Sequence, residues 1–306
     1  MEKKLNSEEN ISYRPAQIDD ISQLVDLMNS QYAIRRDREY FMWQYFNCPD
    51  PTVLICAIWK QKDVVGMFGL RKRNIGPVNM AQAIDMLVTA PWRGCGVFPK
   101  LVEKAVACFV DLHALFSLPN LNGKNALVKG PAWRNLLKIN SYILNLSKVQ
   151  VCSSQSSYPV SGNSGKSFYK FGYDEKYRSW RYEKSSIYKY EYVNISEEVF
   201  AVTKIFTDPV ENVLYGDIVE FNCDLANLNV LSYLIDAVCE KYRKKGINRL
   251  TTWALPNTPL KGLLFDYGFR EKAHERYFII KVLDKRYLDL YDISKWHLVQ
   301  ADCEIY

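Results

Sequence analysis

The chain has 306 residues, long for one compact domain and suited to two of about 150 residues each. With 48% hydrophobic and 24% charged residues it matches neither a disordered chain nor a fibrous repeat. The net charge of +6 is modest and not gathered into one block; short clusters at Arg71-Lys72-Arg73 and from Lys241 to Lys245 read as solvated element ends rather than a nucleic-acid surface.

In chain order, Ile11 to Ala16 alternates like a short strand and stops at Pro15. Ile18, Ile21, Leu24, Val25, Leu27 and Met28 then recur at helical spacing behind Asp19 and Asp20, acidic residues suited to a helix N-terminus. Glu39 to Phe46 reads as an aromatic-rich helix closed by Cys48-Pro49-Asp50-Pro51. Val53 to Trp59 and Val64 to Arg71 form two strand runs, and Gln82 to Thr89 a third. From Val97 to Phe109 an apolar stripe of Val97, Phe98, Leu101, Val102, Ala105, Val106 and Phe109 faces away from Lys100, Glu103, Lys104 and Asp111. Ala114 to Leu118 returns to strand. The order β-α-α-β-β-β-α-β predicts a mixed α/β (α+β) fold, a mixed sheet flanked by helices.

Cys152 to Lys166 is rich in Ser, Gly and Pro and marks a linker, giving modules at 1–150 and 167–306 around residues 151–166. The two sides repeat one another. Trp43 in Tyr40-Phe41-Met42-Trp43-Gln44-Tyr45 corresponds to Trp180 in Tyr177-Arg178-Ser179-Trp180-Arg181-Tyr182, 137 positions on. Leu118-Pro119-Asn120 matches Leu255-Pro256-Asn257 at the same offset, and Trp133-Arg134 matches Phe269-Arg270 at 136. Three anchors in one order at a near-constant offset predict tandem modules. The repeated aromatics Trp43, Tyr45, Trp180 and Tyr182 serve either a ligand cleft or helix packing.

The stretch Asp85 to Pro99 reads strand, tight turn, helix. Gly94 and Gly96 permit positive φ and close approach of the backbone. The helix that follows presents free N–H groups and the positive end of its dipole, and Arg93 adds a permanent cation. These features predict a pyrophosphate cradle; the alternative is a turn that needs its glycines for geometry alone. The matching turn at Ala226 to Leu231 has neither arginine nor glycine, so the second module is expected to keep the fold without the cofactor site.

Arg14-Pro15-Ala16 with Asp19-Asp20, then Leu87-Val88, Pro91 and Arg93-Gly94-Cys95-Gly96-Val97, resembles the GNAT superfamily of N-acetyltransferases, whose acyl-CoA motif is Arg/Gln-x-x-Gly-x-Gly/Ala. Phe98 stands where Gly or Ala is usual. The Gly-Val-Phe ending, Leu118 to Asn122 and Trp296 to Asp302 look like a GNAT branch associated with bacterial surface polysaccharide and glycolipid synthesis. The tandem arrangement is similar to that of the Fem-type peptidoglycan aminoacyltransferases and mycothiol synthase. The resemblance implies two tandem GNAT-like modules and acetyl-CoA, or another short acyl-CoA, as cofactor. It places the pantetheine arm on the backbone of Met86, Leu87 and Val88 and the pyrophosphate on the amides of Gly94, Cys95, Gly96, Val97 and Phe98. Asn120 or Asn122 would reach the pantetheine or the thioester.

Acyl transfer to an amine needs a deprotonated nucleophile and a proton for the leaving thiolate. Asp85, a carboxylate in an otherwise apolar strand, is the candidate base; the alternative is a hydrogen bond to a neighbouring loop. The tyrosine that many GNATs use as acid has no match in Gly123 to Lys129, and Tyr142 is the substitute. His113, His274 and His297 are too few and too separated for a metal site. Eight cysteines without a CxxC pair, and no run of ~20 apolar residues, predict reduced thiols in a cytoplasmic protein without a transmembrane segment, open to peripheral membrane contact. The expected activity is acyl transfer from acyl-CoA to a small-molecule or glycan amine, an amino sugar in surface-glycan synthesis being the suggested acceptor. A Fem-type aminoacyl transferase and a non-catalytic acyl-CoA- or glycan-binding module are the alternatives.

Overall fold

β1 (Ile11–Pro15) ends at its proline, and Arg14 reaches past it to Asp20 with two hydrogen bonds of 2.6 and 2.8 Å. The guanidinium, helped by the Gln17 amide, holds the Asp20 carboxyl below the usual range and sets the entry to α1 (Ile21–Asn29). α1 buries Ile21, Leu24, Leu27 and Met28 of the expected stripe, whereas Ile18 lies in the 3₁₀ turn before the helix and is 47% exposed. The computed structural model describes residues 10–32, 35–130, 132–147, 169–208, 211–224, 227–256 and 258–304, with the side chains of 273–275 left aside. The expected linker at 151–166, Asn257 and the His274 side chain lie outside the described residues.

Asp37 caps α2 (Arg38–Phe41) by accepting from the Tyr40 amide at 2.9 Å. The helix runs on as a π-helical turn over Met42–Phe46, closed by a bond from the Asn47 amide to the Met42 carbonyl at 2.8 Å. β2 (Thr52–Trp59), β3 (Asp63–Lys72) and β4 (Met80–Val88) form an antiparallel meander, with β1 on the outer edge of β2. α3 (Val97–Ala107) buries Val97, Leu101 and Ala105, and Leu101 alone contributes about 2 kcal/mol of apolar burial. β5 (Ala114–Ser117) returns parallel to β4, before α4 (Leu121–Val128) and β6 (Arg134–Asn145).

The second half repeats this order as α5 (Glu175–Arg178) with its π-helical turn (Ser179–Glu183), β7 (Tyr190–Asn194), β8 (Phe200–Thr207), β9 (Leu214–Asn222), α6 (Leu228–Lys244), β10 (Arg249–Trp253), α7 (Pro259–Asp266) and β11 (Arg270–Val282). Individual hydrogen bonds recur with it. Asp174 caps α5 through the Tyr177 amide at 2.7 Å, as Asp37 caps α2, and the Lys184 amide closes the second π turn on Ser179 at 3.0 Å. Ser117 Oγ donates to the Ala83 carbonyl at 2.8 Å, and Thr252 Oγ1 donates to the Ile218 carbonyl at 2.9 Å.

Two compact units result, and each draws on both sides of the 151–166 boundary. The first holds the described residues up to Leu136 together with Gly172–Ile187 and Phe278–Tyr291. Its strands run β1-β2-β3-β4-β5 and end with the last residues of β11, Ile279 pairing antiparallel with Ser117. The second holds Leu137–Phe171, Tyr188–Tyr277 and the residues from Asp292 onward, as far as they are described, with strand order β6-β10-β9-β8-β7. Its core packs Leu231, Leu234, Ile235, Val238 and Tyr242 of α6 against the sheet. The repeat-equivalent strands have exchanged partners: β6 pairs with β10, and β11 with β5.

The repeated tryptophans pack on each other within the first unit. Their rings stack at 4.8 Å and 15°, and each indole N–H donates to the other's carbonyl at 2.8 Å. Trp43 and Trp180 therefore pack helix on helix with their indole N–H groups satisfied by one another.

Candidate functional site

β4 and β5 part company halfway along. Their parallel pairing runs from Met80 opposite Ala114 to Gln82 opposite Phe116 and goes no further, because β5 ends at Ser117 and turns into α4. On its other edge β4 stays paired with β3, through a bulge in which Asp85 and Met86 oppose Phe68. Asp85 takes a left-handed φ of 44°, and such a bulge bends its strand and re-aims side chains. The Thr89 amide bonds the Val65 carbonyl of β3, so by ladder alternation the peptide N–H of Val88 points to the unpaired edge.

Beyond β4, a 3₁₀ turn at Ala90–Trp92 leads to Arg93. Gly94 and Gly96 have φ of 76° and 75°, and Gly96 is the N-cap of α3. A Cβ on Gly94 would meet nothing within 4 Å, so this glycine serves backbone conformation and the surface above it is open. The first helical carbonyl acceptor is Gly96, which receives the Lys100 amide at 3.4 Å. Among the described residues, no backbone carbonyl accepts from the amides of Gly94, Cys95, Gly96, Val97 or Phe98. Arg93 fastens the turn to β4: its Nε donates to the Val88 carbonyl at 2.9 Å, and Nη2 donates to Gln31 Oε1 at 3.0 Å. Phe98 packs edge-on to Phe68 at 5.9 Å, directly behind the bulge. In the second unit the equivalent helix start closes on itself, Asn227 Oδ1 accepting from the Val230 amide at 3.2 Å.

Asp85 is held from α2 and its π turn. Tyr40 and Tyr45 both donate to the same oxygen, Oδ2, at 2.8 and 2.6 Å. Burial, reinforced by the Asp85 carboxylate, pushes the Tyr45 phenol well above its ordinary range, so it remains a donor. Gly69 of β3 makes room for it: a Cβ there would lie 2.9 Å from Tyr45 Oη and 2.8 Å from Ile84 Cγ1.

Asn120 caps α4 by accepting from the Gly123 amide at 2.9 Å, and Asn122 is exposed on the first turn. A Cβ on Gly123 would sit 3.2 Å from Met86 Cε, so this turn rests on the bulge. The first unit thus brings together Asp85, Met86, Leu87, Val88, Arg93 to Phe98 and Asn120. Tyr142 belongs to the second unit, where it is 1% exposed and edge-on to Phe265 at 5.7 Å. Burial and the nearby Glu271 raise its phenol to about 12. Tyr40 and Gly69 had no part in the sequence-derived site, and Tyr45 entered only among aromatics. Their one sequence signal is the five-residue Tyr-Tyr spacing, whose meaning depends on π winding.

Arg71 and Arg73, expected to be solvated, are buried at 1% and 4% exposure and lie over the Trp180 and Tyr177 rings at 4.6 and 4.3 Å. His113 Nδ1 accepts from the Asn79 amide at 3.0 Å, and its ring stacks on Tyr287 at 4.5 Å. Burial lowers His297 to about 3, so it is neutral. Among the described residues no three His, Cys, Asp or Glu side chains converge on a metal position, and no helix is long and apolar enough to cross a membrane. A concavity of about 1000 Å³ opens over the tryptophan pair, lined by repeat-equivalent residues such as Arg38 with Glu175 and Glu39 with Lys176.

No protein-family model matches the chain, and no curated protein matches it in sequence. Solved structures do match. A GCN5-related N-acetyltransferase from Anabaena variabilis has a TM-score of 0.62 at 12% identity, over 90% of this chain and 73% of that one. A tandem GNAT protein from the clavulanic acid biosynthesis pathway has a TM-score of 0.51 at 13% identity, over 89% of this chain and 98% of that one. A GCN5-related glucosamine N-acetyltransferase region of a fungal multi-domain β-N-acetylglucosaminidase scores 0.54 at 10% identity, over 88% of this chain and 38% of that one. At such identities the likeness establishes the fold: a mixed α/β architecture of the GNAT acyltransferase type, shared with a tandem GNAT.

Proposed function

We propose that the chain is an N-acyltransferase that moves an acetyl or other short acyl group from acyl-CoA to a primary amine. One observation carries this reading: the edge of β4 beyond Gln82 that β5 leaves unpaired runs directly into five amides with no backbone acceptor among the described residues, and Arg93 precedes them. Free N–H groups at a helix start, under a left-handed glycine with open space above it, fit a phosphate-bearing ligand. On this reading Gly94 to Phe98 hold the pyrophosphate, and the edge formed by Met86, Leu87 and Val88 holds the pantetheine arm. Asn120, whose Oδ1 caps α4 and so orients the turn against Met86, or Asn122 reaches the pantetheine or the thioester on this reading. Acyl-CoA supplies the activated thioester carbonyl when bound.

Asp85 serves the acceptor. An amine arriving as its ammonium gives one proton to the carboxylate and thence to water, leaving its electron pair free to form the C–N bond. The second N–H proton lost in forming the amide balances the departing thiolate, which takes the electrons of the broken C–S bond. Tyr142, buried in the other unit's core, is set aside as acid, so water is the proton source for sulfur. The acceptor we favour is a small-molecule or glycan amine. The surface-polysaccharide resemblance suggests an amino sugar, and the likeness to a glucosamine N-acetyltransferase region supports it.

Calorimetric titration with acetyl-CoA tests the proposal. The parent protein is expected to bind, Arg93→Ala to weaken binding about tenfold, and Gly96→Trp to abolish it. Absence of binding by the parent overturns the reading. Binding without thiol release across a panel of amino sugars and polyamines would replace it with a non-catalytic acyl-CoA module.

A further inference from the structure

We propose that Tyr40 and Tyr45 are positioning residues that lock one oxygen of Asp85, leaving the other as the single acceptor for the proton of the incoming ammonium. This rests on the reading of Asp85 given above and adds what orients it. Both phenols converge on Oδ2, at 2.8 and 2.6 Å, while Oδ1 has no partner among the described residues. Both tyrosines are buried, at 3% and 7% exposure, so water competes little for either bond.

Three features of the fold build this clamp. In an α-helix, residues five apart point about 140° away from each other, given 3.6 residues per turn. The π turn over Met42–Phe46 adds the residue that brings the two hydroxyls to one point. Gly69 leaves the space that the Tyr45 ring and hydroxyl occupy. The left-handed φ at Asp85 sets its carboxyl at the bulge where β4 has left β5, so the unbonded oxygen belongs to the unpaired stretch of strand. A carboxylate held by two donors at one oxygen has little freedom to rotate, and a fixed proton acceptor is what transfer from a positioned amine requires. In the step itself an ammonium N–H bond breaks, an O–H bond forms at Oδ1, and the electron pair stays on nitrogen.

Two measurements decide it. In protein carrying ¹³Cζ-tyrosine, Tyr40→Phe and Tyr45→Phe assign the two resonances, and Asp85→Asn is expected to shift both toward the free-phenol position. In turnover of an amine drawn from the amino-sugar and polyamine panel, each Phe variant is expected to lose at least tenfold in kcat, with acetyl-CoA Kd within twofold of the parent. Resonances that Asp85→Asn leaves in place, or parent-like kcat in both Phe variants, would overturn the clamp. Failure of the parent to bind acetyl-CoA removes the acyltransferase reading instead, and the resonance measurement still decides the clamp.

Discussion

Gly69 stands opposite Ile84 in the β3–β4 pairing, and its missing methyl group is where the Tyr45 hydroxyl sits. A Cβ there would press on Ile84 at 2.8 Å and on Tyr45 at 2.9 Å, and neither is the loose end of a flexible chain. Gly69→Ala is therefore expected to cost about 1–3 kcal/mol in urea unfolding and to pull Tyr45 off Asp85. A midpoint equal to the parent's would show that the site has slack. Residues whose chemistry is local were legible in sequence. Arg93, Gly94 and Gly96 declare a turn with left-handed φ and free amides, because only the chain next to them is involved. Asp85 was legible as an odd carboxylate, but its partners were not, since they come from a helix 40 and 45 residues upstream.

At the scale of elements, apolar spacing located α1 and α3 because each buries a single stripe at 3.6-residue period. The same reading extended an α-helix through Phe46, where the structure winds a π turn. Aromatics crowd all round that segment, so no stripe distinguishes one winding from another; packing against Trp180 and Asp85 decides it. The two π turns meet in the reciprocal tryptophan pair, which yields an energetic prediction. Removing either indole breaks the stack and orphans the main-chain carbonyl it had bonded, while the other indole keeps its own carbonyl acceptor. Trp43→Ala and Trp180→Ala are each expected to cost about 3–5 kcal/mol, and the double variant far less than the sum. Additivity within about 0.5 kcal/mol in chemical denaturation would refute the coupling.

For the whole molecule, the repeat at an offset near 137 was plain in the sequence, whereas the path of the chain through its two units was not. β6 and β11 are equivalent strands, and each pairs antiparallel in the unit where its own repeat does not supply the partner. A fragment of residues 1–150 would lack both the β11 segment that covers β5 and the helix carrying Trp180. It would leave an unpaired sheet edge. Such a fragment is expected to aggregate or to lack a cooperative melt by circular dichroism, while the full chain melts cooperatively. A fragment that is monomeric and melts cooperatively would mean that β6 can take the place of β11.

The turn around Arg93-Gly94-Cys95-Gly96, the stripes of α1 and α3, and the duplication were determined by sequence alone, each resting on neighbours a few residues apart or on direct self-comparison. Tertiary structure alone decided which strand covers β5, how the aromatic helix winds and which groups hold Asp85. Two repeat-equivalent strands carry similar patterns and suit either edge, and two phenols 40 and 45 residues away meet a carboxylate only after β3 and β4 are paired and bulged. The Arg93 turn is written in local chemistry; the partners of Asp85 are written in the fold.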